Sequence, residues 1–384
     1  MELWVLNTEL QAIHFMDTFE SLIWTERYYR YGDFEIRSSV TPLLRSMLVA
    51  DNYLWTKSSE HTMIVEDVQI ESDVEDGGIF TVVGRSLESI LERRIVYNKT
   101  VLKGSLHDGI KRLLNENAIS PTDPDRKIDN LVFEDSDDNY VNALVIDMTL
   151  YGENLYDVIQ TLCETNKIGF KITLNDANQF VFKLYSGTDR SCEQMKNPYV
   201  IFSPKFDNII NSNYIESKKN LKTIALVAGR EKDDGSRETV TVTKNTAAGT
   251  GLSRRELFVD GGGVSTTDEN GNELSNEAYT TQLTLRGREE LGLHTVTQTF
   301  EGEVETSKMF QYGKDFFKGD IVQVMNEYEI EARTRIVEFV ISQDVNGVTT
   351  YPTFETVQPD EFAQEHFVLD HSVLDTHYLV LEES

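Results

Sequence analysis

A strand-and-turn pattern that occurs twice sets the strongest limit on how this chain can fold. In Leu48 to Ile70, Ala50 and Asp51 open a strand through Tyr53 and Trp55, and thirteen residues after that aspartate stands Ile64-Val65-Glu66, followed by Val68. In Phe317 to Ile341, Gly319 and Asp320 open Ile321, Val322 and Val324, and sixteen residues after the aspartate stands Ile336-Val337-Glu338, followed by Val340. Both copies run into an acidic glycine turn, Glu75-Asp76-Gly77-Gly78 and Asp344-Val345-Asn346-Gly347, before a further strand. Val, Ile and Glu are ordinary strand residues, so a shared tripeptide alone can arise by chance. The shared order of the whole hairpin favours duplication of one β module.

The rest of the chain fits that reading. Short alternating runs at Trp4 to Leu6, Ala12 to His14, Ser21 to Tyr31, Phe34 to Arg37, Tyr53 to Thr56, Thr62 to Ile70 and Ile79 to Val83 predict antiparallel strands with one buried face. Ser86 then reads as the N-cap of a helix carrying Leu87, Ile90, Leu91 and Ile95. Between Tyr97 and Lys196 the period changes to that of helices at Ser105 to Asn115 and Asn154 to Asn166, with a hairpin around Asn175 to Asn178. Alternation returns after Asn197, interrupted by a glycine-rich interval and a helical stretch at Asn276 to Leu291. The expected fold class is mainly β with α+β modules: two similar β-barrel (tube) domains plus two smaller α+β subdomains. The expected divisions are 1–96, a first barrel with a flanking helix; 97–196, an α+β subdomain; 197–245 with 295–358, a second barrel; 246–294, a small inserted subdomain; and 359–384, a C-terminal arm.

Charge excludes one class of function. Against 36 Lys and Arg stand 65 Asp and Glu, a net charge of −29 spread along the chain. Nucleic-acid binders need a positive footprint, so no specific nucleic-acid binding is expected. Such a surface suits a lumen through which DNA slides, and equally serves solubility. Two cysteines, Cys163 and Cys192, are too few for a disulfide scaffold or a four-thiolate zinc site, and Cys163 falls on a core-facing helical position. No run approaches the roughly 20 apolar residues of a membrane span. The opening MELWVLNTEL lacks a basic segment before an apolar one, so synthesis in a cytoplasm is expected.

Two segments carry a family resemblance: Trp24 to Ile36, WTERYYRYGDFEI, and Val82 to Val96, VVGRSLESILERRIV, with the doubled Arg93-Arg94. They resemble the N-terminal signature of siphophage tail and baseplate hub proteins, themselves similar to the baseplate hub of contractile-tailed phages. The resemblance covers about residues 1 to 360. It implies a homotrimer at the tail tip of the virion, docked beneath a distal tail protein ring. It also implies that the hub closes the tail tube until the tape measure protein and DNA pass. A trimer of a duplicated chain presents six similar modules, which lets threefold parts meet sixfold ones. Many relatives extend into receptor-binding or wall-degrading domains. This chain stops at Ser384, so such functions are expected on separate receptor-binding or tip proteins, met through the C-terminal arm.

The resemblance carries no catalytic motif, and the residues supply none that is compelling. A carboxylate-pair peptidoglycan hydrolase needs an acid and a base or nucleophile some 5–10 Å apart, and Glu134-Asp135-Asp137-Asp138 reads instead as a solvated loop. Gly84-Arg85-Ser86-Leu87-Glu88 lacks the last glycine of a nucleophile elbow. Gly249-Thr250-Gly251 lacks the rest of a phosphate loop. The tandem His366 to Asp370 and His371 to Asp375, with His377, could bring metal ligands to one face, but solvated positions beside the apolar row Val368, Leu369, Val373 and Leu374 explain it more simply. A carbohydrate-binding receptor protein is the remaining alternative. No catalytic, cofactor-binding or metal residue is assigned, and no cofactor is expected.

Overall fold

Alternation builds the first seven strands: β1 (Leu3–Leu6), β2 (Ala12–Met16), β3 (Ser21–Arg27), β4 (Asp33–Ser39), then, after the short helix α1 (Pro42–Met47), β5 (Tyr53–Trp55), β6 (Met63–Asp73) and β7 (Gly77–Ser86). In β3 the inward positions are Leu22, Trp24 and Glu26, and in β4 Phe34, Ile36 and Ser38. Leu22, Trp24, Phe34 and Ile36 pack with Leu3, Val5, Leu54, Met63, Val65, Phe80 and Val82 in one core. The computed structural model describes residues 1–357 apart from 74–76, 233, 245–248, 268–272 and 305–308.

The change of period gives a second layer. It holds β8 (Thr100–Ser105), α2 (Leu106–Leu114), β9 (Leu131–Glu134), α3 (Asn139–Ala143), β10 (Val145–Leu150), α4 (Leu155–Thr165), β11 (Gly169–Leu174) and β12 (Phe180–Tyr185). Ser105 caps α2 by accepting from the Asp108 N–H at 3.2 Å, and Asn154 caps α4 by accepting from the Tyr156 N–H at 2.9 Å. β8 pairs with β10, while β12 lies between β11 and β9. Leu106, Ile110, Leu155, Ile159, Phe170 and Phe182 share a core with Leu87 and Leu91 of the 3-10 turn Leu87–Arg93. Cys163 is buried in that core.

The remaining elements are β13 (Ile201–Phe202), β14 (Ile209–Ser217), β15 (Ile224–Glu231), β16 (Arg237–Thr243), β17 (Glu256–Asp260), α5 (Asn276–Leu293), β18 (Thr297–Val304), β19 (Ile321–Met325), β20 (Glu331–Asp344) and β21 (Gly347–Thr356). The chain divides into two compact units, Met1–Tyr214 with Thr299–Val357, and Ile215–Gln298. The second unit has its own sheet, in the order β16-β15-β17, against which α5 lays Leu283, Gly287 and Leu291. From the sequence, β15 and β16 fell within the second barrel and only 246–294 was set apart. The structure removes both strands to the inserted unit, because β15 spends one edge on β16 and the other on β17.

The first unit carries the duplication. One sheet of 13 strands runs β14-β18-β21-β20-β3-β4-β7-β6-β5-β1-β2, with β19 on β20 and β13 on β19, and its pairings form an open path among the described residues. Within it, β3-β4-β7-β6-β5 and β14-β18-β21-β20-β19 have the same spatial order relative to their order in sequence. The hydrogen bonds repeat too. Asp51, at φ 67°, donates its N–H to Val65 O at 2.9 Å, and Gly319, at φ 90°, donates to Ile336 O at 2.7 Å. Val65 donates back to Asn52 O, and Ile336 to Asp320 O. Each β6-type strand then has a bulge at the next residue, Glu66 or Val337. After the bulge each hairpin continues for seven pairs, Asp67 with Val83 to Asp73 with Gly77, and Glu338 with Thr353 to Asp344 with Gly347.

Matching tripeptides set Ile64 against Ile336, whereas the ladder sets Val65 against Ile336. The mainly β class with α+β parts stands, and the repeat is one residue out of the register that the letters suggest.

A Cβ on Gly319 would lie 2.3 Å from the Tyr28 ring at a φ that side chains avoid, while one on Gly104, also at positive φ, would meet nothing within 4 Å. Gly319→Ala should therefore cost about 3 kcal/mol or more and Gly104→Ala about 1 kcal/mol, compared by urea denaturation.

Candidate functional site

The inward parity of β3 places a carboxylate where an apolar side chain is expected. Glu26 follows Leu22 and Trp24 on the buried face and is 1% exposed. It accepts hydrogen bonds from Ser59 Oγ at 2.5 Å and Tyr312 Oη at 2.7 Å, and faces Lys318 Nζ at 3.4 Å. Lys318 lies in the segment before β19, also buried, and donates to Glu60 Oε1 at 2.9 Å and to His61 Nε2. An ammonium only donates, so His61 accepts at Nε2 and turns Nδ1 to Glu88 Oε1, 3.1 Å away. Glu88, fully buried in the 3-10 turn, also accepts from the Ile172 N–H of β11 at 2.9 Å. Lys171 of β11 reaches Glu60 Oε2 at 2.5 Å and lies 5.0 Å over the Tyr185 ring.

The site thus joins β3, the loop before β6, the 3-10 turn, β11 and the segment before β19. Burial alone would push the Glu26 carboxyl up, but Lys318, with Ser59 and Tyr312, holds it below its ordinary value. Burial likewise opposes ionisation of Glu60 and Glu88. Lys318 and Lys171 outweigh it for Glu60, and His61 with Ser86 for Glu88, so both are lowered. Burial would lower Lys318, and Glu26 with Glu60 raises it instead. The result is that Glu26, Glu88 and Lys318 are kept ionised and out of water, while Glu60 reaches the surface. A general acid requires a raised carboxyl with access to substrate, and Glu26 and Glu88 are the opposite on both counts.

The residues of the aromatic-basic signature surround this cluster. Arg27 bridges Asp33 and, at 2.6 Å, Glu338 of β20. The buried Tyr28 hydroxyl donates to Lys167 O at 3.3 Å and accepts from the Gly187 N–H at 3.2 Å. A Cβ on Gly32 would stand 2.1 Å from Thr25 O, so the tight turn requires glycine. Arg85 forks onto Glu66 at 2.6 and 2.7 Å and reaches Glu92 at 2.6 Å. Ser86 does not cap its turn: its Oγ accepts from the Gly32 N–H at 2.7 Å.

The other positions weighed from sequence stay apart. Glu134 pairs with Lys183, Asp135 with Lys111 at 2.6 Å, and Asp138 caps α3. Thr250 and Ser253 form a capping box between Gly249 and the strand β17. His366 to His377 lie outside the described residues. A cavity of about 490 Å³ near Met1, Tyr312, Phe339 and Gln343 has no acidic, histidine or cysteine side chain in its wall.

Comparison with known proteins finds the Siphovirus ReqiPepy6 Gp37-like protein family matching residues 2–354. Among solved structures, prophage tail protein gp18 from Listeria monocytogenes EGD-e is similar at 14% identity and a TM-score of 0.54, covering 96% of this chain and 100% of that one. The tail protein from Neisseria meningitidis MC58 is similar at 14% identity and a TM-score of 0.56, with 92% and 95% covered. The 43 kDa tail protein of prophage MuSo2 from Shewanella oneidensis is similar at 12% identity and a TM-score of 0.55, with 94% and 99% covered. Among curated proteins none matches.

Lys318→Met should cost about 3–5 kcal/mol in a urea titration at pH 7, since it strands the buried Glu26 carboxylate. The three glutamates are lowered in the native state, so the unfolded chain takes up protons first and stability falls with pH below about 4.5. In Lys318→Met that acid-side fall should be shallower, read as the urea midpoint between pH 7 and 3.

Proposed function

The chain belongs to the Siphovirus ReqiPepy6 Gp37-like family, and from that membership we propose that it is a structural hub of the phage tail tip. In this reading three chains close into a pseudo-sixfold ring. The ring joins the hexameric tail tube and distal tail protein ring to threefold tip components, and lines or closes the channel for the tape measure protein and DNA. The hub acts by shape and symmetry rather than catalysis. Receptor-binding or tip proteins attach through residues 359–384.

The observation that carries this reading is the repeated five-strand order, with its bulge at the same hydrogen-bonded place in both copies. A module present twice per chain has little use in a monomer, whereas in a closed threefold ring it meets a sixfold partner at each step. The charge of −29 supports a lumen that does not grip DNA. The ionised, buried state of Glu26 and Glu88 favours a structural over a hydrolytic role.

Purified protein should have the mass of three chains and show a threefold ring with a central hole in negative-stain images. One such ring should bind one hexamer of its phage's distal tail protein. A monomer that degrades peptidoglycan would instead establish the hydrolase.

A further inference from the structure

The register of the duplication leaves one strand edge in the first copy without the neighbour its counterpart has. In β20, Glu331 to Arg335 pair with β19, and Glu338 to Asp344 pair antiparallel with Arg27 to Ser21 of β3. In β6, Met63 and Ile64 pair with β5 and Val65 bonds to Asp51 and Asn52, but among the described residues Asp67 to Asp73 have a ladder only to β7. With Val65 equivalent to Ile336, the segment Asp67 to Asp73 is the counterpart of Glu338 to Asp344. The strand that should cover it is the counterpart of β3. That strand is β14, which stands at the far end of the sheet order.

We propose that Asp67 to Asp73 of β6 pair antiparallel with β14 of a second copy of this chain, as β20 pairs with β3 within one chain. This deepens the ring reading above and rests on it. The contact is head-to-tail, one edge against a different edge, so it repeats from chain to chain and closes where the rotation allows. The edge of a sheet is a ready template for such strand addition.

The side chains agree. Val68 and Ile70 are the counterparts of Phe339 and Ile341. Phe339 is 1% exposed, and Ile341 packs against both the first and second β cores, spanning the joint between copies. Val68 and Ile70 are 40% and 46% exposed on the same face of β6. They form the apolar half of a joint whose other half is the β14 end of the next chain. Alternating internal and external joints then give every module the same two neighbours.

The test uses the full chain with Cys192→Ser to remove the exposed thiol. Solution mass is followed against concentration for this protein, for Val68→Lys with Ile70→Lys, and for Leu252→Lys as a control at a fully exposed position of the inserted unit. The double variant should raise the dissociation constant at least 100-fold while its thermal unfolding midpoint, compared at dilutions where both proteins are dissociated, stays unchanged, and the control should change neither quantity. In mixtures of Gln69→Cys chains with Asn211→Cys, Asn213→Cys or Ile215→Cys chains, a disulfide should form between chains at one or more of the β14 positions. A ring that keeps its mass in the double variant, or no cross-link at any β14 position, overturns the pairing while leaving the ring. A chain that is monomeric at every concentration overturns both.

Discussion

The burial of Lys318 is the constraint around which the first unit is arranged. An ammonium taken out of water is tolerable only with carboxylates held around it, and here they come from separate parts of the chain. Glu26 comes from β3, Glu60 from the loop before β6 and Glu88, through His61, from the turn after β7. Satisfying one ion therefore fixes the first β module, the α+β layer and the start of β19 together. An apolar plug of the same volume could hold them as firmly. The ionic one adds intolerance of misplacement, because a slip of one residue leaves a charge in the interior without its counter-charge.

The two β modules share a backbone plan and little else. The bulge in the first copy is Glu66, clamped by the Arg85 fork, and in the second it is Val337, whose carbonyl accepts the Tyr28 N–H at 2.9 Å. The left-handed corner is an aspartate in one and a glycine in the other. Such exchange is what strand topology permits: the ladder needs a residue there, and each side chain answers only to its own neighbours.

Much of this was legible in the sequence because it depends on local periodicity. Alternation located the strands, and Ser105 and Asn154 marked the starts of α2 and α4. The parity of Leu22, Trp24 and Glu26 contained the clue to the charged cluster, a carboxylate in an inward series, but its partner Lys318 lies 292 residues away and no local rule connects them. Ser86 looked like a cap because a helical run follows it. Its hydroxyl serves Gly32 instead, a contact that exists only once β4 and β7 are side by side. The repeat was visible, and its register was not, since a bulge consumes a residue without altering the letters around it.

The connection between β14 and β18 has a different kind of consequence. Where the first copy turns tightly from Arg27 to Asp33, the second admits an entire folded unit, and its entry and exit strands are hydrogen-bonded neighbours, about 5 Å apart. Chain ends already held that close make insertion nearly free of loop-closure cost. The position is thus a natural graft point, where evolution or an engineer can exchange one compact passenger for another while the strand order that carries it stays as it is.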